Sequence, residues 1–273
     1  MKAQFHYDIK LFYVRLAFRK IKKKRTSPLI DNSNWIFKVD NLKKTFLTTK
    51  RSDTTYLRFK NIRIERGALT LITGETGIGK TSLLNLLGLM DEMVLYHGDD
   101  IVFNPMDKPP ISYRYMMQEA PERIEQVRYS YFGFMFQQDH LIDAMTGWEN
   151  VILSYLLRYP EASKAEAIEK AKTIIKACHF DDMLHGLMDR SPATYSGGQR
   201  QRTALVRAII HDPMVIFADE PLASVDQETA KAIINILAQQ KEKGITVIMV
   251  VHDTHEYLFD SVTVNKIRLR KQK

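Results

Sequence analysis

The stretch that most constrains the fold is LTLITGETGIGKTSLL, residues 69–84. A short apolar and β-branched run leads into a loop with three glycines, and a leucine-rich segment follows directly. The first run predicts a buried strand and the last predicts a helix. The loop is therefore expected to lie between the end of a strand and the N-terminus of a helix, where an anion can bind.

This loop has the composition needed to surround a chain of phosphates. The pattern Gly-x-x-x-x-Gly-Lys-Thr spans residues 74–81, with a third glycine at position 77. Glycines allow positive φ and let backbone N–H groups approach an anion closely. A lysine after the last glycine suits the β- and γ-phosphates, and the threonine hydroxyl suits Mg²⁺. We predict a nucleotide site that includes Gly74, Glu75, Thr76, Gly77, Ile78, Gly79, Lys80, Thr81 and Ser82.

Strands and helices alternate along most of the remaining chain. Further short apolar runs predict buried strands over 214–219 and 245–251, and a short strand is predicted over 100–103. Helices are predicted over 80–90, 115–128, 146–158, 161–178, 199–211 and 227–243. This alternation predicts an α/β fold with a mostly parallel sheet, preceded by two β-rich segments at 36–46 and 54–67.

Composition and charge limit the compartment and the partners. A single cysteine among 273 residues excludes a disulfide framework and fits a reducing compartment. We find no secretory signal or membrane-spanning run, and we expect a cytoplasmic protein that can still touch a membrane. Residues 1–30 hold nine basic residues and one acid, which accounts for the whole net charge of +8. The body has no net charge, so nucleic acid is not an expected partner.

The basic N-terminal arm, residues 1–30, is predicted to contain a helix over 4–24, followed by a linker at 28–34. Apolar groups occupy most of the circumference of that helix, so it needs a covering surface. Either residues 4–25 lie on an anionic membrane surface, or the helix docks on a membrane partner or on the chain's own core. Nucleic-acid binding by the arm is least favoured, because aromatic and aliphatic residues fill the helix.

Three further motifs carry chemistry. The predicted strand VIFAD ends in the acids Asp219 and Glu220, which can hold Mg²⁺ through its water shell and polarise an attacking water. His252 follows the next buried strand, where it could reach a γ-phosphate. The segment YSGGQ places Ser196 and two glycines before a helix, which makes a second phosphate-binding device. One bound nucleotide would not obviously need both this device and the loop at 74–81.

Taken together, these motifs resemble the nucleotide-binding subunits of ABC transporters over about residues 36–260. The loop at 74–81 resembles Walker A, YSGGQ the signature motif and VIFADE Walker B. Gln137 matches the Q-loop, residues 224–226 match the D-loop ending in Asp226, and His252 matches the switch histidine. Phe46 stands where that family places an aromatic that stacks on adenine. The segment 133–158 is similar to the lipoprotein-releasing, macrolide-export and cell-division members.

The resemblance implies a P-loop NTPase core, an N-terminal antiparallel β subdomain and a helical subdomain inserted at about 138–204, all within an ATPase domain spanning 31–273. It implies ATP and Mg²⁺ as cofactors, with Thr81, Gln137 and Asp219 at the metal. Glu220 would be the catalytic carboxylate, with Lys80, Gln137 and His252 beside it. The signature residues Ser196, Gly197, Gly198 and Gln199, together with Asp226, would serve the ATP of a second subunit.

The resemblance also implies partners and a place in the cell. We expect a head-to-tail homodimer that acts on integral membrane permease subunits at the cytoplasmic face of the membrane. A nucleotide-gated regulatory module that signals without moving substrate would use the same residues. A DNA-repair ATPase is disfavoured, because no heptad-rich insertion separates the two phosphate-binding motifs. The chain departs from the family at Tyr195, usually leucine, and at Glu75, an acid beside the phosphates.

Overall fold

The computed structural model describes residues 34–46, 55–91, 100–105, 107–223 and 225–270, and for residues 44–46, 55 and 56 it describes the backbone alone. The predicted N-terminal helix at 4–24 lies outside these residues. In the part of the chain that is described, no helix is long and apolar enough to cross a membrane.

A five-stranded parallel sheet forms the centre of the molecule, as the alternating pattern predicts. Its strands are β5 (Leu69–Thr73), β8 (Phe132–Met135), β9 (Val215–Asp219), β10 (Thr246–Val250) and β11 (Asn265–Arg268). Their spatial order is β11-β5-β10-β9-β8, and every neighbouring pair is parallel. The predicted strands β5, β9 and β10 are buried at every residue, which explains their continuous apolar sequences. The two outer strands, β8 and β11, were not predicted.

Antiparallel strands from the N-terminal half form two further sheets, which confirms the predicted β subdomain. Their strands are β1 (Trp35–Val39), β2 (Leu42–Phe46), β3 (Thr55–Phe59), β4 (Ile62–Glu65), β6 (Ile101–Phe103) and β7 (Ile111–Ser112). One sheet has the order β4-β1-β6-β7, and the other pairs β2 with β3.

Most of the helices fall within a few residues of the predicted ranges. The single helix predicted over 115–128 is wrong, because the chain forms two helices there. Pro121 lacks an N–H group and disfavours helical geometry in Ala120, so the first helix ends before it. The helices are α1 (Lys80–Leu87), α2 (Tyr113–Glu119), α3 (Arg123–Tyr131), α4 (Gly147–Arg158), α5 (Lys164–Ala177), α6 (Gly197–Ile209) and α7 (Gln227–Glu242).

Two hydrophobic clusters cover the two faces of the parallel sheet. Alternate residues of each central strand face opposite sides, so Ile216 and Ala218 join one cluster while Val215 and Phe217 join the other. Helices α4 to α7 supply the first cluster, and α1, α2, α3 and the antiparallel strands supply the second. Helix α1 is thereby fixed against the sheet directly after the P-loop, with the loop at the carboxyl edge of β5.

Candidate functional site

The P-loop connects β5 to α1 through glycines with positive φ. The φ angles are 139° at Gly74, 77° at Gly77 and 99° at Gly79. The buried Lys80 ammonium donates to the carbonyl oxygens of Gly74, at 2.7 Å, and of Glu75, at 3.3 Å. The lysine side chain therefore folds back on the loop that precedes it, and its positive charge lies against the backbone of that loop.

The P-loop is joined directly to the end of β9. The Thr81 hydroxyl donates to Oδ1 of Asp219 at 3.0 Å, across 138 residues of sequence. Burial raises the pKa of Asp219, and the neighbouring Glu220 raises it further, whereas the Thr81 hydrogen bond and Lys80 oppose the shift. The Thr81 hydroxyl and the Asp219 carboxylate thus place two hard oxygen ligands next to the phosphate-binding loop. Mg²⁺ prefers ligands of this kind, so the two residues fit a magnesium site.

Glu220 has an unusual backbone conformation at the edge of this site. Its φ is 43°, and its N–H donates to the carbonyl oxygen of Val250, at the end of β10, at 3.1 Å. Positive φ costs a non-glycine residue roughly 1–2 kcal/mol, and such strain is concentrated at functional sites. Glu220 and His252 line the same small cavity, so the paired strands β9 and β10 bring these two residues to one edge of the sheet.

The His252 side chain is exposed and caps the 3₁₀ helix Asp253–Phe259. Its Nδ1 accepts the Thr254 N–H at 3.4 Å and lies 2.9 Å from the Thr254 hydroxyl. Because Nδ1 accepts, the ring proton of neutral His252 is placed on Nε2. This leaves an N–H donor on the ring nitrogen that the cap does not use.

Gln137 follows β8 and has an exposed side chain. Its segment is tied to α6 by side chains that we did not predict. The Gln201 amide donates to the Gln137 carbonyl at 3.2 Å, and Arg207 donates to the carbonyls of Asp139 and His140 at 2.5 and 2.8 Å.

Asp139 and Arg200 form the centre of this connection. Two guanidinium nitrogens of Arg200 donate to the two carboxylate oxygens of Asp139, each at 2.8 Å. Burial alone would raise the pKa of Asp139, but the Arg200 hydrogen bonds and the Leu141 N–H lower it. Arg200 and Arg207 are seven residues apart on α6, so they lie on one face of that helix. The seven-residue spacing of these two arginines is the sequence feature that could have predicted a shared contact surface on α6.

The signature residues form the N-terminus of α6. The Ser196 hydroxyl accepts the Gln199 N–H, and the Gln199 side chain accepts the Ser196 N–H, which makes a complete capping box. Ser196 and Gly197 are exposed. No described contact joins this cradle to the P-loop of the same chain. The structure therefore brings Lys80, Thr81 and Asp219 together and leaves the second cradle apart.

Tyr195, where the family usually has leucine, is buried just before this cap. Its hydroxyl lies 2.7 Å from the Leu187 carbonyl oxygen and 3.2 Å from that of Arg190. A Cβ added at Gly147 would come within 2.2 Å of the hydroxyl oxygen, so glycine makes room for the tyrosine. The substitution thus has a local structural explanation.

The two remaining predicted residues lie at different places. Asp226 caps α7 by accepting the Thr229 N–H and hydroxyl, each at 2.8 Å, and these hydrogen bonds lower the pKa of Asp226. A Cβ added at Gly198 would lie 3.9 Å from Oδ2 of Asp226, so this residue is next to the signature helix of its own chain. Phe46 ends β2 opposite Thr55, and its side chain is outside the described atoms.

Comparisons with known proteins agree with this geometry. The ABC transporter family model matches residues 57–223. The lipoprotein-releasing system ATP-binding protein LolD of Rickettsia bellii is 34% identical over 197 residues, which cover 72% of this chain and 79% of LolD. The macrolide export ATP-binding/permease protein MacB of Pasteurella multocida is 29% identical over 206 residues, which cover 74% of this chain and 28% of MacB.

A solved structure is similar over most of the fold. It is the dimeric post-hydrolysis state of the ATP-binding cassette MJ0796 bound to ADP and Pi, with a TM-score of 0.68 and 28% identity. The similarity covers 81% of this chain and 89% of that one.

The chain belongs to the ABC transporter family. The family resemblance inferred from the motifs is confirmed, including the similarity to its lipoprotein-releasing and macrolide-export members. The protein is accordingly an ATPase, and its cofactors are ATP and Mg²⁺.

Proposed function

We propose that this chain is the ATP-hydrolysing subunit of an export-type transporter. Two copies would pack head to tail around ATP, and closure and release of this dimer would drive a conformational change in membrane permease subunits. The observation that carries the proposal is the exposed signature cradle at Ser196 and Gly197, which is unconnected to the P-loop of its own chain. The names of LolD and MacB and the dimeric form of MJ0796 support it.

In this proposal the P-loop holds the phosphates and the end of β9 supplies the chemistry. Lys80 would exchange its bonds to the loop carbonyls for phosphate oxygens, while the N–H groups of the glycines surround the chain. Thr81 and Asp219 would hold Mg²⁺, with Gln137 completing the set. The bound ion neutralises charge that develops on the phosphate oxygens.

Glu220 would orient and polarise the attacking water as the general base. The Nε2–H of His252, which the cap does not use, would donate to the γ-phosphate. The signature residues Ser196, Gly197, Gly198 and Gln199 would close on the same phosphate from the second copy, together with Asp226. Phe46 would stack on the adenine.

Glu220→Gln tests the catalytic assignment. The amide keeps the size of the side chain but cannot accept a proton, so we expect turnover to fall by a factor of about 10² or more while ATP binding persists. Size-exclusion chromatography with ATP should then show an accumulated dimer. Glu119→Gln, an exposed glutamate on α2, is the matched control and should retain turnover and stay monomer-like. Wild-type turnover in Glu220→Gln would remove Glu220 from the mechanism.

The domain organisation and location follow from the same proposal. Residues 31–273 would form the ATPase domain with its helical subdomain at about 138–204, peripheral to the cytoplasmic face of a membrane. Residues 1–30 would contact either the membrane surface through 4–25 or the membrane partner. Sedimentation with anionic liposomes should separate these, because a chain starting at Ser33 should lose binding only in the first case.

A nucleotide-gated regulatory module is the second candidate, and the same site residues would serve it. The two differ in the membrane partner. Affinity purification from detergent extracts, followed by ATP-dependent substrate efflux in proteoliposomes, distinguishes them. ATP turnover coupled to signalling but without efflux would favour the regulatory module.

A further inference from the structure

A groove with a volume of about 840 Å³ runs along the outer strands of two sheets. One wall is the end of β3, the β3–β4 turn and the start of β4, which is the outer strand of its four-stranded sheet. The other wall is the end of β11, the outer strand of the parallel sheet, and the residues after it. The Asn265 amide donates to the Glu65 carboxylate at 3.2 Å, which connects these two strands beyond the groove residues.

One edge of β11 has backbone groups that do not bond β5. The Leu269 N–H donates to the Thr73 carbonyl of β5 at 2.9 Å. Backbone groups alternate in direction along a strand, so those of Arg268 point away from β5. Among the described residues, β11 pairs with β5 alone. An extended segment can therefore add to this edge by main-chain hydrogen bonds.

The lining of the groove combines an apolar floor with a cationic rim. The floor is made by the partly buried side chains Leu57, Ile62, Ile267 and Leu269. Among the described residues that line the groove, the rim carries no acid and the exposed cations Lys60, Arg63, Arg268 and Arg270, while Arg58 also lies there but has an interaction partner of its own. The adjoining recess of about 320 Å³ shares Ile78, Arg268, Leu269 and Arg270 with the groove and adds Gly74 and Glu75. Such a lining is complementary to a segment that carries both acidic and apolar side chains.

We propose that this groove binds an extended segment of a partner protein in which acidic and apolar residues alternate, and that this segment adds as a strand to β11. Alternation follows from strand geometry, since successive side chains point to opposite sides and can meet the floor and the rim in turn. The groove reaches Gly77 and Ile78 of the P-loop but excludes Lys80, Thr81 and Asp219 from its lining. It is thus separate from the phosphate-binding side of the loop.

Other occupants fit less well. The chain's own N-terminal arm carries a net charge of +8 over residues 1–30, and like charges repel across a cationic rim. Single-stranded nucleic acid usually stacks on exposed aromatic rings, whereas Phe59, the one aromatic residue among the described residues that line this groove, is buried. A membrane surface would contact the exposed rim but would not fill the concave apolar floor.

Fluorescence anisotropy with the full-length protein tests the proposal. The probe is a fluorescein-labelled peptide of about eight residues, a typical strand length, alternating glutamate and valine. A peptide of the same composition in two blocks and an alternating lysine–valine peptide are the controls. We expect the alternating acidic peptide to bind on the order of tenfold more tightly than either.

Charge reversal locates the binding. Arg63→Glu/Arg268→Glu should weaken the acidic peptide by about tenfold or more, and Lys60→Glu/Arg270→Glu should do the same independently. Lys176→Glu/Lys231→Glu, on the outside of α5 and α7, makes the same charge change elsewhere and should leave binding unchanged. Equal binding of the block peptide would overturn strand addition. Unchanged affinity in both groove variants, or arginine-dependent binding of anionic vesicles in place of the peptide, would overturn the site.

Discussion

At the scale of single residues, the nucleotide site has features that oppose the stability of the unliganded fold. Asp219 is buried beside a second carboxylate, and its pKa is raised mainly by burial. An acid whose pKa is higher in the folded state than in the unfolded state destabilises the fold when it is ionised. This destabilisation therefore develops as the pH rises above the ordinary aspartate value and is present at neutral pH.

Replacing Asp219 by asparagine should consequently stabilise the protein while removing activity. The amide oxygen can still accept the Thr81 hydroxyl, but the buried charge is gone. We expect the unliganded Asp219→Asn protein to melt a few degrees higher at pH 7, with Mg²⁺-dependent turnover lost. Thermal denaturation at pH 7 and at pH 4 checks this, because the gain should shrink at the lower pH. A lower melting temperature at pH 7 would contradict the argument.

Gly79 shows a different constraint, in which the backbone angle and the surroundings both require glycine. Its φ is 99°, and an added Cβ would lie 2.3 Å from Cδ1 of Leu57. Gly186 has a φ of 84° and open space around it, so Gly186→Ala is a control for the backbone term alone, roughly 1–2 kcal/mol.

Urea unfolding should therefore find Gly79→Ala clearly less stable than Gly186→Ala. In the double variant Gly79→Ala/Leu57→Ala, the clash between the added Cβ and Leu57 is absent. Its loss of stability should therefore be smaller than the sum of the two single losses, because the two changes are coupled through one contact. Additive effects would show that Leu57 does not limit this position.

At the scale of elements, several side-chain hydrogen bonds join the Q-loop segment to the signature helix. Arg200, Gln201 and Arg207 of α6 all bond the segment 137–140. Gln137 and Ser196, which belong to separate motifs in the sequence, are thereby linked through a helix and a bidentate ion pair. A movement of either motif should be transmitted to the other through these bonds.

Arg200→Lys tests this linkage, because lysine keeps the charge but loses the two-point contact with Asp139. We expect a stability loss of about 1–2 kcal/mol and a several-fold lower ATP turnover. Arg202→Lys is matched to it, since Arg202 makes the same two-point contact with Asp182, at 2.8 Å for each bond, away from the Q-loop. That control should lose stability but keep turnover. Equal turnover in the two variants would argue against the linkage.

At the scale of the whole molecule, our proposal requires a second copy of the chain to supply the signature cradle to each nucleotide site. Lys80→Ala damages one half of each composite site, and Ser196→Arg damages the other half. In a mixed dimer of these two variants, one site carries both defects and the other site carries neither.

Mixing the two inactive variants should therefore restore part of the ATP turnover. A variant carrying both changes, mixed with wild type, leaves one defect in every site of the mixed dimer and serves as the control. Turnover should be measured against the fraction of each variant in the mixture. No recovery in the first mixture would contradict head-to-tail sharing of sites.

Much of the fold could be predicted because its requirements are local. The strands β5, β9 and β10 are recognisable as continuous apolar runs, and the P-loop by its glycines, because these residue types are needed wherever such elements occur. The strand β11 escaped prediction because three of its four residues are exposed, so it has no buried run. The range 115–128, predicted as one helix, is divided at Pro121 into two helices, because proline disfavours helical geometry in the residue before it.

The sequence alone determined the family, the cofactors and the order of the motifs, since each depends on residue types at fixed short spacings. The tertiary structure decided which of these motifs meet. It joined Thr81 to Asp219 and Asp139 to Arg200, and it kept the signature cradle away from the P-loop of its own chain. It also opened the cationic groove between β4 and β11. Contacts between residues far apart in the chain depend on how the sheets and helices pack, which no local pattern encodes.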